Sequence, residues 1–141
     1  PMHDIGKMTI PHDILHKPDR LSADEFEIMK QHTTNAYRLM SGSKRRLIQA
    51  AAIIAHQHHE RWDGKGYPRA LNGADIHIYG RIVALADVFD ALTHKRCYKD
   101  AWESREAVDF IIANRGTHFD PELVDLFSAN IEMFLDIAQL K

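Results

Sequence analysis

Apolar residues along this chain recur at steps of three and four, and almost nowhere alternate, so the pattern predicts five helices and almost no strand. The first residues read as the tail of a helix broken at Gly6, and 8–20 reads as a loop carrying Pro11 and Pro18. Ser22 followed by Glu25 is a capping-box signature. It opens a helix to about Met40, with Phe26, Met29, Thr33, Ala36 and Met40 on one face and His32 on the flank of that face. Ser41-Gly42-Ser43 ends it. The next helix, over about 44–60, carries two adjacent stripes: Leu47, Ala51, Ile54, His58, and Ile48, Ala52, Ala55, His59. Both stripes end in a histidine, and an imidazole buried without a partner is costly. A loop over 63–75 holds Gly64, Gly66, Pro68 and Gly73. A third helix, over about 78–93, presents the small face Gly80, Ala84, Asp87 and Ala91, with Asp90 one turn beyond Asp87. A fourth, over about 105–115, stops at Gly116. Asp120-Pro121 is an N-cap followed by proline at the first helical position. It opens a last helix through about 140, with Leu123, Phe127, Ile131 and Phe134 inward. The predicted class is all-α.

Length and charge narrow the function. At 141 residues the chain is one domain, or most of one, with enough residues to bury a core. A formal net charge of −2 excludes a broad electrostatic grip on polymeric nucleic acid. A small anion held by two or three local cations stays open. The single cysteine, Cys97, forms no internal disulfide, so a reducing, cytoplasmic setting is the simpler expectation. No apolar run approaches the roughly 20 residues of a bilayer span. The expectation is no membrane contact by this domain, although a parent protein could be membrane-anchored. No signal peptide is visible.

Ten histidines is a high count for this length, and it changes the picture. Four groups of candidate ligands recur: His3-Asp4, His32, His58-His59 and Asp87. The spacings are 28 residues from Asp4 to His32, 26 from His32 to His58 and 28 from His59 to Asp87. Each fits one helix and one connection, so a bundle could gather all four groups at one point and hold transition-metal ions. His3 and Asp4 point about 100° apart on a helix, and can embrace ions from two sides if the aspartate bridges. Singly, each group has a plain reading: a polar pair at a helix end, a flank histidine, satisfied core histidines, an ion-pair partner. Their order and their placement near faces to be buried favour one shared site. His12, His16, His56, His77, His94 and His118 are assigned exposed or packing roles. Trp62 and Trp102 are read as packing residues.

His3-Asp4-Ile5-Gly6-Lys7, then His32, then HHERWDGKGYP at 58–68 and DVFDALTHKRCYK at 87–99, together resemble the bacterial HD-GYP domain. This is the branch of the HD superfamily that hydrolyses cyclic di-GMP. The resemblance covers essentially the whole chain; the 58–68 block is specific, the HD dipeptide is not. It implies an HD-domain helical bundle and a metal-dependent phosphodiesterase that opens cyclic di-GMP to linear pGpG, and onward to GMP in some members. The implied metal ligands are His3, Asp4, His32, His58, His59 and Asp87, around two or three divalent iron or manganese ions, with Asp4 as the bridge. Asp4 and Lys7 are the implied catalytic pair. Lys7, Arg96 and Lys99 match positions that hold substrate phosphates, Asp90 matches one close to the site, and Gly66-Tyr67-Pro68 matches the loop that names the family. Arginine binds phosphate bidentately and lysine acts as a point charge, in keeping with those roles. Read without the resemblance, Arg96 and Lys99 are a solvated basic turn, and Tyr67 is a hydrophobic lid on a tight loop.

Complete HD-GYP domains carry one or two further helices before the HD dipeptide. These supply another histidine ligand and, in the trinuclear subgroup, a glutamate. The expectation is therefore that 1–141 is such a domain without its first helices, that a regulatory domain lies upstream in the parent, and that an apolar face is left open to self-association as a homodimer. Two other readings compete. One is a non-catalytic receptor or docking module for the dinucleotide or for a GGDEF-type protein partner, which an eroded HD or HHE motif would have favoured. The other is a sister HD enzyme acting on a hybrid cyclic dinucleotide or another nucleotide.

Overall fold

The computed structural model describes residues 2–94 and 102–139, and for 137–139 the backbone alone. Arg96, Cys97 and Lys99 therefore lie outside the described residues.

Seven α-helices follow one another: α1 (His12–Leu15), α2 (Ala23–Met40), α3 (Arg46–Gln57), α4 (Ile78–Thr93), α5 (Ser104–Ala113), α6 (Pro121–Ala129) and α7 (Ile131–Gln139). Two 3₁₀ turns, Ile5–Thr9 and Gly73–Asp75, complete the order, and the described residues contain no strand. The class is all-α, as the periodicity predicts. The capping box forms: Ser22 Oγ accepts from Glu25 N, and a Glu25 carboxylate oxygen accepts from Ser22 N. Asp120 caps α6 by accepting from Glu122 N, and the same carboxylate takes a 2.6 Å hydrogen bond from Arg81 Nη1 on α4.

Four local features differ from the pattern reading. The N-terminal residues form a 3₁₀ turn that runs through Gly6 instead of breaking there. The loop around Pro11 contains the single turn α1. The second long helix ends at Gln57, so His58 is its C-cap and His59 lies in the following turn. The last helix is cut at Asn130, whose side chain donates to Leu126 O and whose backbone N–H bonds Phe127 O. Such local side-chain bonding competes with helix continuation. The inward face nevertheless survives the break, since Leu123, Phe127, Ile131 and Phe134 all join one core.

That core joins α4, α5 and α6 through Leu85, Phe89, Val108, Ile111, Val124 and Phe127, with Ile131, Phe134 and Leu135 of α7 packed against it. A second, smaller cluster joins α2 and α3 through Ala36, Met40, Ala52 and Ala55, with Ile5 packed against it. Between α3 and α4 the axes approach closely at Gly80, where a Cβ would sit 2.8 Å from Gln57 Cβ. The N-terminal turn lies on α2, α2 on α3, and α3 on α4. These contacts bring the predicted ligand groups to one end of the small cluster. The outer face of α3 is open: Leu47, Ala50, Ala51 and Ile54 line an apolar groove of about 370 Å³ with Met2, His3 and Val83. Leu47, placed inward by its stripe, is 79% exposed there. No helix among the described residues is long and apolar enough to cross a membrane.

Candidate metal centre

Gly6 decides how the site assembles. A Cβ at that position would stand 1.9 Å from the His32 carbonyl oxygen and 3.0 Å from Ala36 N. Only glycine lets the 3₁₀ turn lie directly on the α2 backbone. The contact sets Asp4 opposite the middle of α2, where Asp4 Oδ1 comes within 3.4 Å of His32 Nε2 and 3.8 Å of His58 Nε2. His32 is not a flank residue but fully buried, at 1% exposure. The α3 stripes deliver His58 and His59 from the third side.

One donor atom from each of Asp4, His32, His58 and His59 lies within 4.8 Å of the others. Asp4 Oδ1, His32 Nε2 and His58 Nε2 are buried and have no hydrogen-bond partner among the described residues. Buried polar atoms are nearly always paired, so three unpaired ones converging is the signature of a site shaped for a further group. The opposite ring nitrogens are tied down. His32 Nδ1 lies 2.7 Å from Met29 O, and His58 Nδ1 lies 3.1 Å from both Ile54 O and Ala55 O. Those carbonyls accept only, which assigns the proton to Nδ1 and leaves the Nε2 lone pair facing the cluster. A carboxylate with neutral imidazoles is a donor set suited to divalent transition metals.

Electrostatics agree. Burial pushes the His58 imidazole down to about 4, helped by the His3 charge. Burial, then His58, pushes His59 down to about 3. Burial also lowers His32. All three are neutral, ligand-ready rings at neutral pH. His3 behaves differently. Hydrogen bonding first to Asp4 and then to Asp87 raises it to about 9. Its Nε2 stands 3.4 Å from Asp4 Oδ2 and 3.6 Å from Asp87 Oδ1, so His3 bridges the two carboxylates. Burial would raise the Asp4 carboxyl, but hydrogen bonds from His3 and Lys7 outweigh it and hold it far below the usual range. The Lys7 ammonium lies 2.6 Å from Asp4 Oδ2.

All six predicted ligands thus meet, four tightly and two as an adjoining pair, with Lys7 at the rim. Asp90 sits apart, one turn along α4; its backbone and carboxylate engage His94. Gly66 has a packing reason for its identity, since a Cβ would stand 2.3 Å from Arg61 N and 2.5 Å from Glu60 Cα. The Tyr67 ring stacks on His59 at 4.8 Å and 26°. His12, His16, His56, His77, His94 and His118 stay outside the cluster: His77 caps α4, His56 stacks on Tyr37, and His118 stacks on Phe119. The sequence reading missed Glu60. It is 1% exposed, and its two carboxylate oxygens accept from Arg69 N at 2.8 Å and Leu71 N at 3.0 Å. A glutamate directly after the His58-His59 pair was the available signal.

A family model described as an HD domain matches residues 1–123. Among curated relatives, the chain is 50% identical over 137 residues to 3'3'-cGAMP-specific phosphodiesterase 2 of Vibrio cholerae, covering 97% of this chain and 26% of the relative. It is 51% identical over 125 residues to a cyclic di-GMP phosphodiesterase response regulator of Xanthomonas campestris, covering 89% and 33%. It is 50% identical over 127 residues to a cyclic di-GMP phosphodiesterase of Thermotoga maritima, covering 90% and 34%. The chain therefore spans only a quarter to a third of these relatives. A solved structure of a cyclic GMP-AMP phosphodiesterase of V. cholerae superposes with a TM-score of 0.60 at 29% identity, covering 90% of this chain and 30% of that one.

Proposed function

This chain belongs to the HD domain family, and from that footing we propose that it is the metal-dependent phosphodiesterase core of a protein that hydrolyses cyclic di-GMP to linear pGpG. The observation that carries the reading is the convergence of Asp4 Oδ1, His32 Nε2 and His58 Nε2, buried and unpaired, on one point. His59 completes the inner set, while His3 and Asp87 offer donors for an adjoining ion. Iron and manganese suit this nitrogen–oxygen set. When bound, such ions neutralise a scissile phosphate and activate water at neutral pH. The protein's own contributions are orientation and charge. Asp4, whose oxygens face His32 and His58 on one side and His3 on the other, would be the bridging carboxylate. Lys7, at the open rim, is placed to meet charge developing on a phosphoryl oxygen. Arg96 and Lys99 are assigned phosphate contacts, and Asp90, Gly66 and Tyr67 the substrate-facing wall, on the motif resemblance.

The names of the relatives favour a cyclic dinucleotide over other nucleotides, and they divide between cyclic di-GMP and 3'3'-cGAMP. The hybrid dinucleotide is accordingly the second reading. The test is chromatography of products after the iron- or manganese-loaded protein meets each dinucleotide in turn. Linear pGpG from cyclic di-GMP, absent with Asp4→Asn, is expected. Turnover of the hybrid alone selects the second reading, and turnover of neither contradicts both.

A further inference from the structure

We propose that Glu60 is a positioning residue for the metal centre: its buried carboxylate folds the following loop back over the end of α3 and so presses the Tyr67 ring against the His59 imidazole. The proposal rests on His59 being a metal ligand. It starts from an asymmetry among the three clustered histidines. His32 and His58 are each oriented by an Nδ1 contact to a backbone carbonyl. His59 makes no ring-nitrogen hydrogen bond among the described residues. A ligating imidazole needs an outer partner to fix its orientation, and for His59 that partner is an aromatic face.

That face is held in place from Glu60. Its two oxygens accept from Arg69 N and Leu71 N, which closes the loop onto the residue next to His59. Inside the closure, Tyr67 N donates to His59 O at 3.1 Å. Gly66 packs against the Glu60 and Arg61 backbone with no room for a Cβ, so the turn has no slack. The Tyr67 ring is left on His59 at 4.8 Å, near parallel, with Phe26 edge-on at 6.0 Å behind it. A buried carboxylate is costly unless its lone pairs are used. Here both oxygens are used on a loop whose return point is the ligand pair, a stronger arrangement than closing a surface turn requires.

The experiment compares Glu60→Gln with the wild-type protein by two readouts. The first is the resonances of the His59 ring protons without metal, which carry the ring current of Tyr67. The second is cobalt(II) affinity, read from the ligand-field spectrum. Glu60→Gln aims an amide NH₂ at one of the two backbone donors. It should move the His59 resonances toward unstacked values and raise the cobalt Kd roughly 10–100-fold. Tyr67→Ala should reproduce both changes, and Tyr67→Phe should restore the His59 shift. Unmoved His59 resonances with unchanged cobalt affinity in Glu60→Gln overturn the proposal and leave Glu60 a loop anchor. Should Glu60→Gln fail to fold, Glu60→Asp, which keeps the charge and shortens the reach to Arg69 N and Leu71 N, decides by the same two readouts. A wild-type protein that binds no cobalt sinks the metal reading instead, and the metal-free resonances still decide whether Glu60 sets the stack.

Discussion

Replacing Gly6 by alanine adds one methyl group and should disable the site from a position that touches no metal or substrate. The added Cβ would lie 1.9 Å from His32 O and 2.8 Å from His32 C, both backbone atoms of a helix that cannot step aside. Ordinary contact begins near 3.4 Å, so the 3₁₀ turn must retreat by about 1.5 Å. Asp4 rides on that turn, and its 3.4 Å approach to His32 Nε2 opens by a similar amount. Metal ligation tolerates errors of only about 0.2 Å, and disturbing what orients a ligand typically costs about 10–100-fold in metal affinity. Overpacking itself costs about 1–3 kcal/mol. Gly6→Ala is therefore expected to stay folded by circular dichroism, lose about 1–3 kcal/mol in urea unfolding, and lose about 10–100-fold in manganese affinity by calorimetry. Wild-type manganese affinity in a folded Gly6→Ala protein would refute the claim that this contact sets the position of Asp4.

Asp4→Asn should abolish turnover with the helical spectrum retained, because the side chain is 36% exposed and the fold does not lean on it; retained activity would remove the bridging role. Asp120→Ala leaves Arg81, 19% exposed, without its partner and strips the α6 cap. It should cost about 3–5 kcal/mol in urea unfolding, and a loss under about 1 kcal/mol would place the pair among surface bridges. Burial, then the Arg61 charge, pushes His118 down from 6.5 to about 4. Since the folded value lies below the unfolded one, its stability contribution is whole above about 6.5 and is lost as pH falls through about 4. His118→Phe should flatten the fall in metal-free stability across that window, and an unaltered slope contradicts the assignment.

The long helices were legible because their apolar spacing and caps act locally: the Ser22–Glu25 box and the Asp120-Pro121 start both form. The break at Asn130 was not, because the apolar face continues unbroken across it and only local side-chain bonding divides the helix. The ligand groups were legible in sequence for a related reason, since each gap between them is one helix and one connection. Where His32 ends up was less so. Predicted on the flank of α2, it becomes fully buried because the N-terminal turn covers it, a contact that depends on Gly6 meeting backbone 26 residues away. Glu60 escaped notice because its partners are backbone N–H groups, which no side-chain pattern records.

The central claim is that Asp4, His32, His58 and His59 hold a transition-metal ion. Anomalous X-ray diffraction from crystals grown with manganese, collected either side of its absorption edge, tests it most directly. The account predicts a peak within bonding reach of Asp4 Oδ1, His32 Nε2 and His58 Nε2, with any second peak on the side of His3 and Asp87. Well-ordered side chains at those four residues with no anomalous peak between them, at saturating manganese, would contradict it.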